Sequence, residues 1–551
     1  MPSYSSTGYL SLILHAHLPY VRHPEHTFAL EEHWLYEAMT ESYIPLLQML
    51  DKLVEDGIEF RLALSITPTL VSMLRDPLLQ SRYLNRLDSL IDLAKKEMKR
   101  TQKDLSLHNL ASMYHSRFVG IRDAFTNHYQ KDLVEGFKRV MDLGKIEIIA
   151  SAATHAYLPL LSIVPSSVAA QISIGVGNYI EVFGRKPLGF WLPECGYYPG
   201  VDEILKDFGI RFIVLETHGV TCADPRPKYS VYAPICSHCG VAAFGRDPES
   251  SRQVWSSIEG YPGDYDYREF YRDVAYDLDQ DYIGPYIHPD GIRLDTGIKY
   301  YRVTGKGDQK KIYNPVRAEG KAEIHAGNFM FNREKQIEYL ASLMDRKPLV
   351  VAPYDAELFG HWWYEGPVWL DHLIRKIQRK QNTLRLIVPS EYLEEYQVNE
   401  ICSPSMSSWG RGGYNEVWLN DSNQWIYPRL HSASSTMEMM ACQKPEGDLE
   451  KHALNQLARE LLLAQASDWP FMISNRSTAR YAQGRLETHL HCFEKLAEEV
   501  RAGRIDQARL AKMEGQDNIF EKIDYRAFAC PTGNQDSRST IRMPSPPFPD
   551  P

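Results

Sequence analysis

Short apolar runs that end in polar residues recur along most of this chain, and they constrain its fold more than any other feature. Amphipathic stretches of helical length, such as 34–53 and 168–183, separate several of them. The runs are Tyr9–Leu14, Glu59–Ile66, Ile146–Ala150, Leu188–Leu192, Phe212–Leu215, Leu349–Ala352 and Leu384–Val388. Alternating strands and helices indicate a parallel α/β sheet. Because polar residues follow the strands, as they do at the mouth of a barrel, the sequence predicts a barrel-like body of about seven strands.

The rest of the chain departs from this pattern in two places. Residues 224–332 are rich in Tyr, Gly, Asp and Pro and are too long for a simple loop, so they form an inserted subdomain or a set of binding loops. After about residue 404, long charged amphipathic patterns at 450–465, 477–499 and 505–514 predict helices. We therefore expect a barrel with its insertion in 1–403, a helical C-terminal domain in 404–530, and a disordered proline-rich tail in 531–551.

Charge and cysteine content exclude several classes of protein. The 61 Lys and Arg against 71 Asp and Glu give a net charge of −10, which argues against nucleic acid or an anionic membrane as partner. The eight cysteines are sparse and follow no disulfide spacing, which favours a reducing compartment. The first apolar stretch, Tyr9–Leu14, is too short for a signal peptide or a membrane span. We expect a cytoplasmic protein, whose oligomeric state the sequence does not determine.

One carboxylate stands out directly after the run at 188–192. The segment is WLPECGYYPG, in which Glu194 has Trp191 and Tyr197 as neighbours. A carboxylate at such a strand end is poorly solvated, and this changes its pKa in the way that catalytic groups require. The alternative is a glutamate at the start of a helix beside a structural aromatic cluster.

A second acidic segment, APYDAELFGHWWYEGPVWL, follows the run at 349–352. It brings Asp355, Glu357, His361 and Trp362 to one strand-to-helix junction. Acids from two strand ends that face each other are what glycoside chemistry requires, with a separation of about 5 to 5.5 Å in retaining enzymes. The alternative for Asp355 or Glu357 is N-capping of the next helix.

Two histidines at the end of the first run resemble a metal-binding pair. His15 and His17 lie two residues apart, so they share one face of a strand. A third ligand would come from His155, Asp355 or His361, but the same residues serve equally well as hydrogen-bond partners of sugar hydroxyls. The lone C-x-x-C at 236–239 has no second pair at zinc spacing and does not open a helix, which argues against structural zinc and against a thioredoxin-like role.

Three tryptophans in the C-terminal part have Gly or polar neighbours. Trp409 and Trp418 lie in SSWGRGGYNEVWLN, and Trp469 lies in ASDWPF. Exposed tryptophans of this kind stack on the apolar faces of sugar rings, whereas buried ones pack helices onto the barrel.

Taken together, these segments resemble glycoside hydrolase family 57 and, within it, the 1,4-α-glucan branching enzymes, over residues 8–482. The family motifs occur in order as HAHLPYV (15–21), GKIEIIASAATHAYLPL (144–160), WLPECGY (191–197), APYDAELFGHWW (352–363) and SSWG (407–410). The branching subgroup is indicated by residues 245–273 and by SDWPF at 467–471.

The resemblance implies an α/β fold: an incomplete (β/α)7 barrel with an inserted helical subdomain and a C-terminal α-helical domain. It implies a hexosyltransferase with retaining chemistry, in which Glu194 is the nucleophile and Asp355 the general acid and base. It also implies an α-1,4-glucan as donor and acceptor, with no metal and no cofactor. Substrate-binding roles would fall to His15, His17, His155, Trp191, Arg268, Gly284, His361, Trp362, Trp409, Trp418 and Asp468.

One stretch departs from the branching subgroup, whose members carry a tyrosine on a loop over the cleft. Here the corresponding residues 229–247 contain His238 and two cysteines, and Tyr232 is the nearest tyrosine. A loop without an aromatic tip would make branching weak relative to hydrolysis.

The sequence is therefore compatible with four functions. The first is a branching enzyme of storage-glucan synthesis, and the second is a hydrolase or 4-α-glucanotransferase on the same scaffold, which would form no α-1,6 links. The third is a silent glucan-binding protein, disfavoured because both acids are present in full motif context. The fourth is a metal-dependent hydrolase or deacetylase, which a chelator would inhibit.

Overall fold

The computed structural model describes residues 6–256, 259–305, 307 and 309–529. Within these ranges, ten strands form one sheet. The strands are β1 (Gly8–Ala16), β2 (Leu62–Ile66), β3 (Ile146–Ser151), β4 (Gly189–Trp191), β5 (Phe212–Leu215), β6 (Ile235–Cys236), β7 (Ala242–Gly245), β8 (Leu349–Asp355), β9 (Leu384–Leu386) and β10 (Glu400–Ile401).

Seven parallel strands form the body of the sheet, in the order β7-β5-β4-β3-β2-β1-β8. β6 runs antiparallel to β7 and carries β10 at the sheet edge, and β9 pairs with the start of β1. β1 is buried along its whole length, as expected for a parallel strand covered on both faces. Each of the seven predicted runs contains a strand, so that prediction is confirmed. The sequence analysis missed β6, β7 and β10, which are only two to four residues long.

The sheet curls so that its outer strands approach each other. The backbone N–H of Asp247, just after β7, donates to the carbonyl of Val351 in β8 at 2.8 Å. In the described part of the chain no strand ladder joins β7 to β8. The result is an incomplete barrel, in which all the parallel strands point their carboxyl ends to one side.

Helices account for most of the remaining chain. They are α1 (Glu32–Ala38), α2 (Ile44–Glu55), α3 (Pro68–Arg75), α4 (Pro77–Thr101), α5 (Leu105–Asp123), α6 (Leu133–Asp142), α7 (Leu158–Leu161), α8 (Pro165–Phe183), α9 (Val201–Asp207), α10 (Thr217–Thr221), α11 (Pro248–Trp255), α12 (Val274–Asp277), α13 (Gln280–Ile283), α14 (Pro315–Ala341), α15 (Gly366–Lys380), α16 (Pro389–Glu395), α17 (Ile426–Ala441), α18 (Asp448–Ala464), α19 (Asp468–Asn475), α20 (Ala479–Arg501) and α21 (Gln507–Gln516). A π-helical turn at Met39–Tyr43 joins α1 to α2. None of the helices described is long and apolar enough to span a membrane.

The region 224–332 does not form one unit. Its first part supplies β6 and β7 to the sheet, and its last part is the beginning of α14. The stretch between them packs on α4 and α5: the hydroxyls of Tyr282 and Tyr300 donate to Glu97 of α4 at 2.7 and 2.8 Å. The helical layer inserted between β2 and β3 is therefore covered by this irregular segment.

The C-terminal helices α17 to α21 pack together and against the barrel. The predicted patterns at 450–465, 477–499 and 505–514 correspond to α18, α20 and α21. The Thr154 hydroxyl donates to the Leu462 carbonyl of α18, and Gln465 donates to Ser167 of α8 at 3.1 Å. This packing brings the residues between α18 and α19 to the carboxyl ends of the strands. The predicted tail at 531–551 lies outside the described residues.

Candidate active site

A cavity of about 640 Å³ lies at the carboxyl ends of the barrel strands. Nine of the residues predicted to act on substrate line it: His15, His17, His155, Glu194, Asp355, Trp362, Trp409, Trp418 and Asp468. They come from the ends of β1, β3, β4 and β8 and from the C-terminal part. The sheet and the C-terminal helices therefore build this cavity together.

Glu194 is held at the cavity by two hydrogen-bond donors. It lies in a 3₁₀ turn, Pro193–Cys195, directly after β4, with a φ of 62° that non-glycine residues seldom adopt. The indole N–H of Trp409 donates to Oε2 at 2.8 Å, and the hydroxyl of Ser467 donates to Oε1 at 3.0 Å. Burial raises the pKa of Glu194, whereas both hydrogen bonds oppose that rise because they stabilise the anion. The next α-helix begins only at Val201, so Glu194 does not start an α-helix but lies in the first turn of this short 3₁₀ segment.

Asp355 ends β8, in register with His15 of β1. Burial raises the pKa of Asp355 well above its ordinary value, and the negative charges of Glu357 and Glu194 raise it further, against an opposing effect of Arg246. The environment of Asp355 thus favours a protonated carboxyl, while that of Glu194 supplies donors for a carboxylate. This is the division that an acid and a nucleophile require.

N-capping does not account for the acids at this junction. The side chain of Asp355 does not cap the 3₁₀ turn Ala356–Leu358, and α15 begins only at Gly366. Glu357 instead accepts hydrogen bonds from the backbone N–H of His17, at 3.1 Å, and from the hydroxyl of Tyr43. The capping alternative is therefore wrong for both residues, and Glu357 fixes the chain after β1.

Three histidines stack beside the two acids. His15 and His155 meet through their Nε2 atoms at 3.0 Å, and Nδ1 of His155 lies 3.0 Å from the Ser467 hydroxyl. Burial lowers the pKa of His15 and of His155 well below the usual range, which keeps both rings neutral. Burial also opposes protonation of His17, but the Asp468 carboxylate, 3.1 Å from Nε2, outweighs it and raises the His17 pKa.

The metal alternative can be tested against the positions of the ligand atoms. Among the described residues, His17, His155 and Asp468 bring one such atom each within 4.8 Å of one another, and Glu460, His489 and Asp517 do so in the C-terminal domain. Neither group includes a cysteine or His15. The group therefore keeps His17 of the predicted pair but not His15. Of the three candidates for a third ligand it contains only His155, and Asp468 takes the place of Asp355 or His361. The metal-free site stays a prediction.

The tryptophans divide into exposed walls and buried supports. Trp362 is 56% exposed and stacks on Phe270 with ring centroids 4.8 Å apart. Trp191 is fully buried and stacks under His15 at 4.6 Å, and Trp418 is almost fully buried against Tyr157 at 4.2 Å. Trp469 is fully buried and donates to the Leu463 carbonyl at 2.7 Å, so its role is packing rather than sugar stacking.

Four predicted substrate-binding residues do not line the cavity: the buried Trp191, and Arg268, Gly284 and His361. Arg268 is buried in an ion pair with Glu41 at 2.8 Å. Gly284 begins a 3₁₀ turn against α4, and His361 faces Glu41 at 3.6 Å. The motifs could not show that these residues lie outside the cavity lining, because the position of a residue in a motif does not determine which way its side chain points.

Several lining residues were missed by the sequence analysis. Arg246 follows the short strand β7, so the same rule of polar residues after strands could have found it. Trp255 ends α11 and also lines the cavity. Ser467, which directly precedes the predicted Asp468, was missed as well; it acts on the site by donating to Glu194.

The loop tyrosine expected at 229–247 does not reach the cavity. The carbonyl of Tyr232 accepts a hydrogen bond from Leu349 at the start of β8, at 2.9 Å, and its hydroxyl accepts one from Gln336 at 3.3 Å. These contacts lie toward the amino end of β8, whereas Asp355 is at its carboxyl end. Of residues 229–247, only Arg246 lines the cavity.

Comparison with known proteins agrees with this geometry. A family model described as "Glycosyl hydrolase family 57" matches residues 11–312, and one described as "1,4-alpha-glucan branching enzyme, C-terminal" matches residues 429–528. The 1,4-alpha-glucan branching enzyme TK1436 of Thermococcus kodakarensis is 32% identical over 94% of this chain and 78% of its own length. A probable 1,4-alpha-glucan branching enzyme of Mycobacterium tuberculosis, Rv3031, is 29% identical over 94% of this chain and 98% of its own.

Solved structures also match nearly the whole chain. The alpha-amylase AmyC of Thermotoga maritima has a TM-score of 0.89 and 42% identity, over 95% of this chain and 99% of its own. The GH57-type branching enzyme of Pyrococcus horikoshii has a TM-score of 0.86 and 32% identity, over 95% and 97%. The fold predicted from the motifs, an incomplete barrel with a C-terminal helical domain, is confirmed. Since the family model covers more than half of the residues and the relatives match almost end to end, this chain belongs to glycosyl hydrolase family 57.

Proposed function

We propose that this chain is a 1,4-α-glucan branching enzyme. The observation that carries the proposal is the pairing of Glu194, held by two donors, with Asp355, whose pKa is raised well above its ordinary value in the same cavity. Such a pair supports double displacement at a sugar carbon. The named relatives support α-glucan as the substrate, and the match of residues 429–528 supports branching.

In the first step, a carboxylate oxygen of Glu194 attacks the anomeric carbon of an α-1,4 link. The bond between that carbon and the glycosidic oxygen breaks, and the proton of Asp355 passes to the leaving oxygen. A glucan segment is then held on Glu194 as a β-glucosyl ester. The Trp409 and Ser467 donors orient the attacking carboxylate.

In the second step, Asp355 is ionised and takes the proton from the 6-hydroxyl of an acceptor glucan. The acceptor oxygen attacks the anomeric carbon, and Glu194 leaves as a carboxylate, which makes an α-1,6 branch. Water in place of the acceptor gives hydrolysis, so the outcome depends on how well the site positions an acceptor and excludes water.

The surrounding residues bind and orient the sugar in this proposal. The neutral rings of His15 and His155 and the His17–Asp468 pair offer hydrogen bonds to hydroxyls near the cleavage point. Trp409 and Trp362 supply flat apolar faces for glucosyl rings. We assign the protein to storage-glucan synthesis in the cytoplasm, a reducing compartment that fits its eight sparse cysteines without disulfide spacing.

Hydrolysis is the second candidate function, and two observations favour it. None of residues 229–245 lines the cavity, so no aromatic side chain from that loop covers the reacting sugar. The relative from Thermotoga maritima, 42% identical, is described as an alpha-amylase. Open access for water would shift the same two-step chemistry toward reducing ends.

The test is incubation of the purified protein with amylose, followed by proton NMR of α-1,6 anomeric signals and a reducing-end assay. We expect new α-1,6 links in excess of new reducing ends. Reducing ends without α-1,6 links would move the protein to the hydrolase function, and no reaction would favour a silent binding protein. Glu194→Gln and Asp355→Asn should each abolish turnover with an unchanged far-UV spectrum, and appreciable activity in either would refute that residue's role.

A further inference from the structure

A second cavity, of about 360 Å³, adjoins the catalytic one and shares Arg246 and Trp255 with it. Its other walls include Glu216, Ser251 and Arg252. We propose that this second cavity binds one arm of the acceptor glucan, so that an internal glucosyl unit of that chain presents its 6-hydroxyl to Asp355. The inference rests on the proposed branching function and adds to it a separate acceptor site.

Trp255 lines both cavities. Its ring centroid lies 6.1 Å from that of Trp409, with the ring planes at 78°, and Trp409 in turn donates to Glu194. Trp255 is 36% exposed, so part of its ring is open to a ligand. A sugar that stacks on Trp255 is therefore one aromatic ring away from the residue that holds the nucleophile.

Arg246 links the second cavity to the acid–base residue. Its guanidinium is fixed by Glu216 at 2.9 Å and by the hydroxyl of Ser251 at 2.6 Å. The charge of Arg246 acts on Asp355, whose pKa it lowers against the larger effect of burial. A rigid guanidinium that adjoins both Asp355 and the second cavity can hydrogen-bond an acceptor sugar as it approaches the base.

The cavity walls have the chemistry that glucan recognition needs. Glu216, Ser251 and Arg252 supply acceptors and donors for hydroxyl groups, and Trp255 supplies an apolar face. The groove also continues: a third cavity of about 300 Å³ shares Pro248 and Arg252 with the second and follows α11. A chain of several sugars could thus lie along this helix.

The chemistry of branching explains why a second site is required. A 4-hydroxyl acceptor is the end of a chain, so it needs space on one side only. A 6-hydroxyl is present on every unit, and when the acceptor is an internal unit its chain continues in both directions past the reacting oxygen. Because the donor segment on Glu194 occupies part of the catalytic cavity, one arm of the acceptor must leave through a different opening, and the second cavity provides one.

Arg252→Ala is the sharpest test, because Arg252 lines the second and third cavities but not the catalytic one. The donor is amylose and the acceptor is maltoheptaose labelled at its reducing end, with α-1,6 transfer read as labelled product that a debranching enzyme shortens. Loss of one or two hydrogen bonds to a neutral sugar should raise the KM for the labelled acceptor about three- to tenfold. The ratio of transfer to hydrolysis should fall by a similar factor at low acceptor concentration.

The matched control is Arg379→Ala, an exposed arginine in the last turn of α15, which lines none of the three cavities. It should keep the wild-type KM and ratio. Trp255→Ala should lower the ratio more than Arg252→Ala, and Trp255→Phe should restore part of it. The inference would be overturned if the wild-type protein branches and the Arg252→Ala variant has an unchanged KM for the acceptor. Equal losses of transfer and hydrolysis in that variant would also overturn it. A wild-type protein that forms no α-1,6 links would instead refute the proposed function itself.

Discussion

Ser467 offers the most informative perturbation of this site, because one hydroxyl serves two members of it. The side chain is buried, donates to Oε1 of Glu194 at 3.0 Å and lies 3.0 Å from Nδ1 of His155. The hydroxyl has one proton, and it donates that proton in the hydrogen bond to the Glu194 carboxylate. The hydroxyl oxygen can therefore only accept from His155, so His155 must carry its own proton on Nδ1. Its Nε2 then accepts from Nε2 of His15 at 3.0 Å. Ser467 therefore orients the nucleophile and fixes the tautomers of two histidines.

The expected size of the effect follows from these contacts. A hydrogen bond to an ionised group contributes about 1.5 to 3 kcal/mol. If that energy serves to orient the attacking carboxylate, Ser467→Ala should lower kcat by about ten- to 150-fold. The hydrogen bond from Ser467 also lowers the pKa of Glu194. Glu194 must be ionised to attack. Loss of the Ser467 hydrogen bond should therefore raise the pKa of Glu194 and move the acid limb of kcat/KM to higher pH.

The assay is the pH profile of maltoheptaose cleavage by wild type, Ser467→Ala and Ser467→Thr, with a thermal melt of each. Ser467→Thr keeps the hydroxyl and should recover most of the rate. The reasoning would be refuted by a Ser467→Ala variant with unchanged kcat and an unchanged acid limb. It would also be refuted if the threonine variant lost as much activity as the alanine variant at equal melting temperature.

Four further predictions follow from the same geometry. Asp355 must donate a proton in the first step, and its pKa is raised well above the usual range. Activity should therefore persist into neutral pH and fall as the pH rises through that pKa. If the residual activity of Asp355→Asn still showed the same basic limb, this assignment would be contradicted. Trp409→Ala should reduce both steps through the lost bond to Glu194 and reduce transfer more than hydrolysis of short substrates, whereas equal losses would make Trp409 only structural. Trp469→Ala, at a fully buried position, should instead lower stability by about 3 to 5 kcal/mol in denaturant unfolding, and a smaller loss would argue against its packing role. Dialysis against EDTA should leave turnover unchanged, and activity restored only by added Zn²⁺ would make the His17, His155 and Asp468 group a metal site.

Local sequence pattern was enough for the parts of the fold whose residues are neighbours in the chain. The seven apolar runs all contain strands, and the amphipathic patterns at 34–53 and 168–183 lie in helices. A parallel strand that is buried on both faces needs a continuous apolar run, so it can be predicted from its own residues. The exceptions are β6, β7 and β10. β6 and β10 have only two residues each, and β7, which is as long as the predicted β5, lies within the Tyr-, Gly-, Asp- and Pro-rich region 224–332, where the alternating pattern is interrupted.

The motif resemblance carried the site further than pattern alone, but not to its contacts. It assigned Glu194 and Asp355, which line one cavity, and it also assigned Arg268, Gly284 and His361, which do not. A motif fixes where a residue stands in the chain. Whether its side chain turns to the cavity or to a buried partner, as Arg268 does to Glu41, depends on the neighbouring layers.

The sequence by itself determined that polar residues of several strands would meet, because parallel strands deliver their carboxyl ends to one side of a sheet. Only the tertiary structure decided how the nucleophile is held. Trp409 and Ser467 reach Glu194 from positions 215 and 273 residues further along the chain. Trp409 lies in the loop between β10 and α17, and Ser467 lies in the turn between α18 and α19. Periodicity shows that the neighbouring helices have a buried face, but it contains no information about which surface covers that face. Packing of the C-terminal helices on the barrel supplies that partner, and with it the two donors that orient the attacking carboxylate.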